Sequence, residues 1–174
     1  MSGTPPANGP EEWFDVVDAA DRVVDRQPRS VVHARGLRHR AAHVLVFDAL
    51  GRLYLQRRAL SKECSPGLWD TSAAGHVESG EDYADAARRE LEEELGIRAE
   101  RPLEPLFGLE ASPATGQEFV RVFRITTTQI PRPDPDEIID GRWCTPCAVR
   151  EWLRREPAAF TASFREIWRR LQAD

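Results

Sequence analysis

The sequence predicts an α+β domain in which helices pack on a mixed β-sheet. Three observations support this reading. Short β-branched, aromatic or alternating runs recur at 13–17, 44–47, 53–56 and 119–127, one strong amphipathic helix spans 82–95, and strands and helices do not follow a strict βαβ rhythm. A chain of 174 residues is one domain of ordinary size, and 41% apolar with 30% charged residues suffices for a core and a solvated surface. No internal repeat is present.

Composition excludes several classes. The longest fully apolar run, 44–47, is far short of the ~20 residues a membrane helix needs. The N-terminus lacks the apolar stretch of a signal peptide. Three cysteines cannot form a complete disulfide framework, so a cytoplasmic protein is expected. The net charge of −5 hides a split: residues 75–100 hold nine acidic and three basic side chains, residues 26–62 nine basic and one acidic. The basic stretch lacks the aromatic interleaving of a nucleic-acid surface, so no nucleic-acid partner is expected. Oligomeric state, monomer or homodimer, stays open.

The elements follow in order. Residues 1–10, rich in Pro and Gly, read as a disordered tail, with a single domain over 11–174. Residues 13–17 and 22–24 read as strands around a turn, and 30–35 as a short helix. Residues 44–47 and 53–56 form a hairpin across the turn at 49–51. Residues 61–75, with Pro66, Gly67 and Gly75, read as a long ordered loop. The helix at 82–95 stops at Gly96. After the strand at 119–127, Pro131, Pro133 and Pro135 mark a loop. A strand at 138–143 and helices at 148–155 and 160–171 complete the chain. Residues 101–118 and 128–137 are expected to be specificity loops.

On a wheel of ~100° per residue, Ala84, Ala87, Leu91 and Leu95 form the core stripe of the 82–95 helix, and Glu90, Glu93 and Glu94 share an arc beside it. Like charges at i, i+3 and i+4 repel by ~0.2–0.5 kcal/mol per pair. A hard divalent cation would relieve that repulsion, and carboxylate oxygens suit Mg²⁺ or Mn²⁺. A solvated acidic face is the bland alternative for such a helix taken alone.

The wider spacing decides between them. Gly75, five residues, Glu81, seven residues, then Arg89-Glu90-Leu91-Glu92-Glu93-Glu94-Leu95-Gly96-Ile97 resembles the Nudix box, GX5EX7REUXEEXGU with U aliphatic, at every defined position. The resemblance implies the Nudix fold, an α/β/α sandwich with a mixed central sheet. It also implies metal-dependent hydrolysis of a phosphoanhydride in a small-molecule diphosphate substrate, a nucleotide or related compound. It implies Glu90, Glu93 and Glu94 as Mg²⁺ or Mn²⁺ ligands, with the Gly75 carbonyl and His76 beside them. It further implies that one of the three, or a glutamate elsewhere such as Glu118, orients or deprotonates the attacking water, and that Arg89 steers the box glutamates.

A narrower resemblance covers ~13–170 and points to the isopentenyl diphosphate isomerase branch. It rests on residues 37–41, 56–62, 66–72, Gly75-His76, 117–119 and Trp143. By that likeness His33, His39, His76 and Glu118 match a metal and catalytic cluster, and Arg58 and Lys62 match diphosphate-contacting positions. Three departures oppose isomerase chemistry. Ala74 stands where the isomerase has its catalytic cysteine, all box glutamates are kept, and the carbocation-stabilising aromatic falls near Ser163. A hydrolase is therefore expected, with an isomerase or a non-catalytic nucleotide-binding module as alternatives. His43 is a further candidate for a histidine metal site. Alternation lets only one of Arg57 and Arg58 reach the site from its strand. Cys144 and Cys147 lack the further ligands a zinc site needs. Trp69, beside the box, is the one tryptophan worth testing as a substrate platform.

Overall fold

The computed structural model describes residues 11–173, so the expected tail at 1–10 lies outside it. β1 (Trp13–Val17) and β2 (Val23–Pro28) form a separate antiparallel hairpin, followed by α1 (Arg29–Arg35). The main sheet is built on β3 (His39–Phe47), which is buried on both faces. It runs parallel to β8 (Glu118–Thr126), from His39↔Glu118 to Phe47↔Thr126. β7 (Glu104–Leu109) adds antiparallel to β8 at the sheet edge.

The expected hairpin of β3 and β4 (Leu53–Arg58) is joined by one register pair, Phe47↔Leu53. Beyond it the two strands splay. The segment expected as a loop fills the opening: β5 (Trp69–Asp70) pairs with β4, and β6 (Ala73–His76) pairs with β3. These strands were illegible because two residues in one and Ala-Ala-Gly-His in the other carry no alternation; strand partners, not propensity, extend them. β7 corrects the expectation of a loop over 101–118 in the same way. Pro105 and Gly108 disguise it, and an edge strand with a register shift at 105–107 tolerates proline. β9 (Ile138–Cys144) covers the far side of β4.

Alternation along β3 divides the core. Ala42, Val44 and Val46 join Ala86, Ala87, Leu91, Leu95 and Ile97 on the face covered by α2 (Tyr83–Leu95). Ala41, Leu45 and Phe47 join Val149, Phe160, Phe164, Ile167 and Trp168 on the face covered by α3 (Pro146–Arg155) and α4 (Ala162–Leu171). The result is the expected α/β/α sandwich. Complete burial of Leu91, Leu95 and Ile97 contributes ~1.5–3 kcal/mol each. Ala84, expected in the core stripe, is exposed, and Ala86 takes its place in the core.

α2 carries its own boundaries. The Asp82 carboxylate accepts from the Asp85 N–H at 2.8 Å, and Gly96 closes the helix in the left-handed region at φ 63°. The N-terminal hairpin docks through Ser79 N–H to the Trp13 carbonyl, 2.8 Å, and through Asp21. The Asp21 carboxylate accepts from Arg40 Nε at 2.7 Å and from the Tyr83 hydroxyl at 2.9 Å. Among the described residues, no helix is long and apolar enough to cross a membrane.

Candidate active site

The β6–α2 unit brings the acidic helix under a strand with no side chain in the way. A Cβ on Gly75 would lie 2.0 Å from the Glu90 carboxyl carbon, so only glycine leaves room for that carboxylate. Arg89 holds the cluster from the other side. Its guanidinium donates to both oxygens of Glu81 at 3.0 and 2.9 Å, to Glu90 Oε1 at 2.6 Å, to Glu93 Oε2 at 3.3 Å and to the His76 carbonyl at 3.0 Å. A fork of planar donors suits this task where a single ammonium would not.

The three glutamates differ in setting. Glu93 is 61% exposed in its side chain, Glu90 13%. Glu94 is buried at 3% and accepts at one oxygen from the Gln56 amide, 2.8 Å, and from the Ala74 N–H, 3.2 Å. Burial, then the neighbouring Glu90 charge, pushes the Glu94 carboxyl up to about 8. Burial also raises Glu90, with Arg89 opposing. Buried carboxylates set to repel, with one backbone N–H and one amide to orient them, fit a divalent cation as the missing partner.

The sequence reading grouped His76 with these glutamates; the structure separates it. Alternation along β6 puts the 76 side chain on the face opposite the Gly75–Glu90 contact. There its Nε2 lies 3.1 Å from Glu118 Oε1, and ligand atoms of His33, His39 and His76 fall within 4.8 Å of one another. Among the described residues, no other group of three His, Cys, Asp or Glu ligand atoms is so close, the box glutamates included. The parallel register His39↔Glu118 and α1, which carries His33, assemble the cluster. Phe14 of β1 stacks on His39 and His76 at centroid distances of 5.6 and 4.6 Å.

His39 Nδ1 donates to the Leu37 carbonyl at 2.9 Å, while its Nε2 is buried without a hydrogen-bond partner, 3.6 Å from Glu118. Burial holds His33 and His76 below the usual histidine range. Burial alone would raise Glu118, but the His39 and His76 rings outweigh it and hold its carboxyl well below the usual range. Three clustered imidazoles beside a carboxylate, with one orphaned nitrogen, are a donor set that fits a transition-metal ion. His43, a candidate for this cluster in the sequence, is not in it.

Arg58 and Lys62 line one cavity with the box glutamates and the histidine cluster. Both cations are engaged: Arg58 donates to the Cys64 carbonyl at 3.1 Å and stands 3.6 Å from Asp70, and Lys62 pairs with Glu137. Arg57 turns away to the Gly67 carbonyl. Trp69 is buried edge-on against Trp152 at 5.0 Å, a core contact and no platform. Cys144 and Cys147 are free thiols. Sequence reasoning gives no role to Gln56, Asp70, Thr71 or Glu137 in this region, although the first three lie in the segments 56–62 and 66–72 that carry the narrower resemblance.

The NUDIX domain family model matches residues 37–164. The chain belongs to the Nudix family. It is 38% identical over 157 residues to an isopentenyl-diphosphate Delta-isomerase of Burkholderia multivorans, covering 88% of this chain and 89% of that one. It is 36% identical over 150 residues to a Nudix hydrolase of Nostoc, covering 84% and 89%. The crystal structure of DR0079 from Deinococcus radiodurans superposes with a TM-score of 0.79 at 31% identity, covering 91% of this chain and 98% of that one. The family and these relatives make the chain an enzyme of the Nudix hydrolase type. The matched domain begins after α1, so Phe14 and His33 come from outside it.

Proposed function

We propose that this Nudix enzyme hydrolyses a phosphoanhydride in a small molecule carrying a diphosphate. Glu90, Glu93, Glu94 and the Gly75 carbonyl would hold Mg²⁺ or Mn²⁺. The observation that carries the reading is the complete acidic set on α2, oriented by Arg89 and seated under Gly75. When bound, such an ion would neutralise charge on the phosphoryl oxygens and make the attacking water more acidic. Arg89 keeps Glu81, Glu90 and Glu93 in register, so that a glutamate stands ready to orient the attacking water and take its proton. Arg58 and Lys62 bind the diphosphate by exchanging Asp70 and Glu137 for phosphate oxygens, which Arg and Lys favour as charge-assisted acceptors.

A second reading, isopentenyl diphosphate isomerase, draws on the Burkholderia relative and on the His33–His39–His76–Glu118 cluster. Ala74 speaks against it. Carbon-centred proton transfer needs acid and base partners on both sides of the substrate, and a methyl group supplies neither.

One screen separates the readings. Phosphoanhydride cleavage is measured on nucleoside diphosphates and prenyl diphosphates as orthophosphate release, and on nucleotide sugars and dinucleotides as the phosphomonoester products, with Mg²⁺ or Mn²⁺ and with excess chelator, beside an isomerisation assay on isopentenyl diphosphate. Hydrolysis of at least one class, abolished by chelator, with no isomerised product, is the expected result. Glu93→Gln should lower that turnover by at least ~100-fold, the scale of losing a fixed transition-state stabiliser. Turnover in chelator, or isomerisation without hydrolysis of any class, would overturn the proposal.

A further inference from the structure

One buried polar side chain in the cavity has no assigned task. His43 is 4% exposed, on the face of β3 that carries Ala41 and Leu45, and directly opposite Ala74 in the β3–β6 register. Residues opposed in an antiparallel pair share a face, so its imidazole stands beside the Ala74 methyl, one residue from Gly75. It lines a cavity of about 1160 Å³ that also reaches Arg58, Glu90 and Glu94, and on the α4 side Thr161 and Ser163.

One tautomer satisfies both contacts of the fully buried Thr71 hydroxyl: with its proton given to the Ala73 carbonyl at 3.4 Å, its oxygen is left to accept from His43 Nδ1–H at 2.8 Å. Asp70 Oδ1, 3.9 Å from the same nitrogen, favours the proton there too. Nε2 is then a bare acceptor with no protein partner among the described residues, on a side chain that lines the cavity. A relay of Asp70 and Thr71 that fixes one nitrogen leaves the other as a directed acceptor.

We propose that His43 selects the group attached to the diphosphate, accepting at Nε2 a hydrogen bond from a hydroxyl on that group. The substrate class is therefore sugar- or nucleoside-bearing diphosphates, and alkyl or prenyl diphosphates are rejected. The inference rests on the phosphoanhydride reading above and adds the identity of the attached group. The surroundings agree with it. Ala41 and Ala74 are small enough to admit the group beside the ring, and Ser163 brings a further hydroxyl-bearing side chain to the same cavity. A hydrocarbon placed there would strip water from Nε2 and leave a buried acceptor unpaired. A site built to hydrogen-bond a hydroxyl discriminates strongly against the analogue that lacks one.

The test compares His43→Leu, His43→Gln and His43→Asn with the parent, with Mg²⁺, on hydroxyl-bearing diphosphates, on dimethylallyl diphosphate and on inorganic diphosphate. The Gln side chain reaches the Nε2 position with an acceptor oxygen; the Asn side chain reaches only Nδ1. Expected for His43→Leu is a KM at least ~10-fold higher for the best hydroxyl-bearing substrate, the scale of one hydrogen bond to a buried acceptor. The KM for dimethylallyl diphosphate should hold or fall. His43→Gln should restore most of the selectivity and His43→Asn should not. That pair still decides the matter if His43→Leu fails to fold. Equal changes on both substrate types, equal behaviour of Gln and Asn, or a parent that prefers dimethylallyl diphosphate would overturn the role of His43. Hydrolysis without His43 discrimination sinks this inference alone, whereas no hydrolysis of any diphosphate sinks the phosphoanhydride reading with it.

Discussion

A carboxyl group buried as deeply as that of Glu94 makes stability depend on pH in an unusual direction. Its ordinary value is 4.5, and burial with the Glu90 charge raises it to about 8 in the metal-free fold. The folded state therefore holds a proton that the unfolded chain releases. The associated stabilisation is complete below about pH 4.5 and is lost as pH rises through about 8. Glu94→Gln mimics the protonated form, since its amide oxygen can still accept from Gln56 and the Ala74 N–H. In chelator, thermal melts of the parent and Glu94→Gln should coincide near pH 5, and the variant should be the more stable near pH 8. With saturating Mg²⁺ the order at pH 8 should reverse, because the parent alone keeps the full charge that binds the ion. A gap between the two proteins that does not change with pH would show that Glu94 is not held protonated.

At the scale of elements, the β6–α2 joint is the working unit. β6 contributes a residue without a side chain and α2 the carboxylate that occupies the space. Gly75→Ala puts a methyl carbon 2.0 Å from the Glu90 carboxyl carbon, and that carboxylate must swing away from Arg89. The displaced group is the end of a flexible side chain, so the fold should survive with a small drop in melting temperature. Turnover and Mg²⁺ affinity should fall together by at least ~10-fold, as second-contact disturbances of metal ligands do. A variant with parental kinetics would show that Glu90 need not occupy the space under Gly75. The same joint shows what was readable in advance. The α2 boundaries and the order of the glutamates along its face follow from spacing along one helix. The unequal burial of those glutamates does not, because it depends on β4 supplying Gln56 and β6 supplying an N–H.

For the whole molecule, two candidate metal centres draw on different parts of the chain. The box centre lies within the matched domain at 37–164, while the histidine centre needs His33 from α1 and the Phe14 ring from β1, both upstream of it. The N-terminal unit, held through Asp21 by Arg40 and Tyr83, thus supplies Phe14 to the histidine cluster. Titration with Co²⁺, whose visible spectrum reports imidazole ligation, should give a second class of site in the parent. His33→Ala should remove that class and leave the Mg²⁺-dependent hydrolysis largely in place. An identical Co²⁺ spectrum in both proteins would show that the three rings pack together without binding metal.

The box helix over 82–95, its stop at Gly96, the strand at 13–17 and the strand at 44–47 are legible in the chain alone. These depend on interactions between residues a few positions apart, where periodicity and breaker residues are written directly in the chain. Contacts made across the fold settle that 69–70 and 73–76 are strands, that 104–109 is an edge strand, that Lys62 meets Glu137, and that His76 turns toward His33 and His39 while His43 stands alone over the cavity. Each of those outcomes depends on a partner outside the local window of the chain. Short strands borrow their conformation from neighbours, and an isolated histidine carries no mark of the face it will occupy until the register of β3 against β6 and β8 is set.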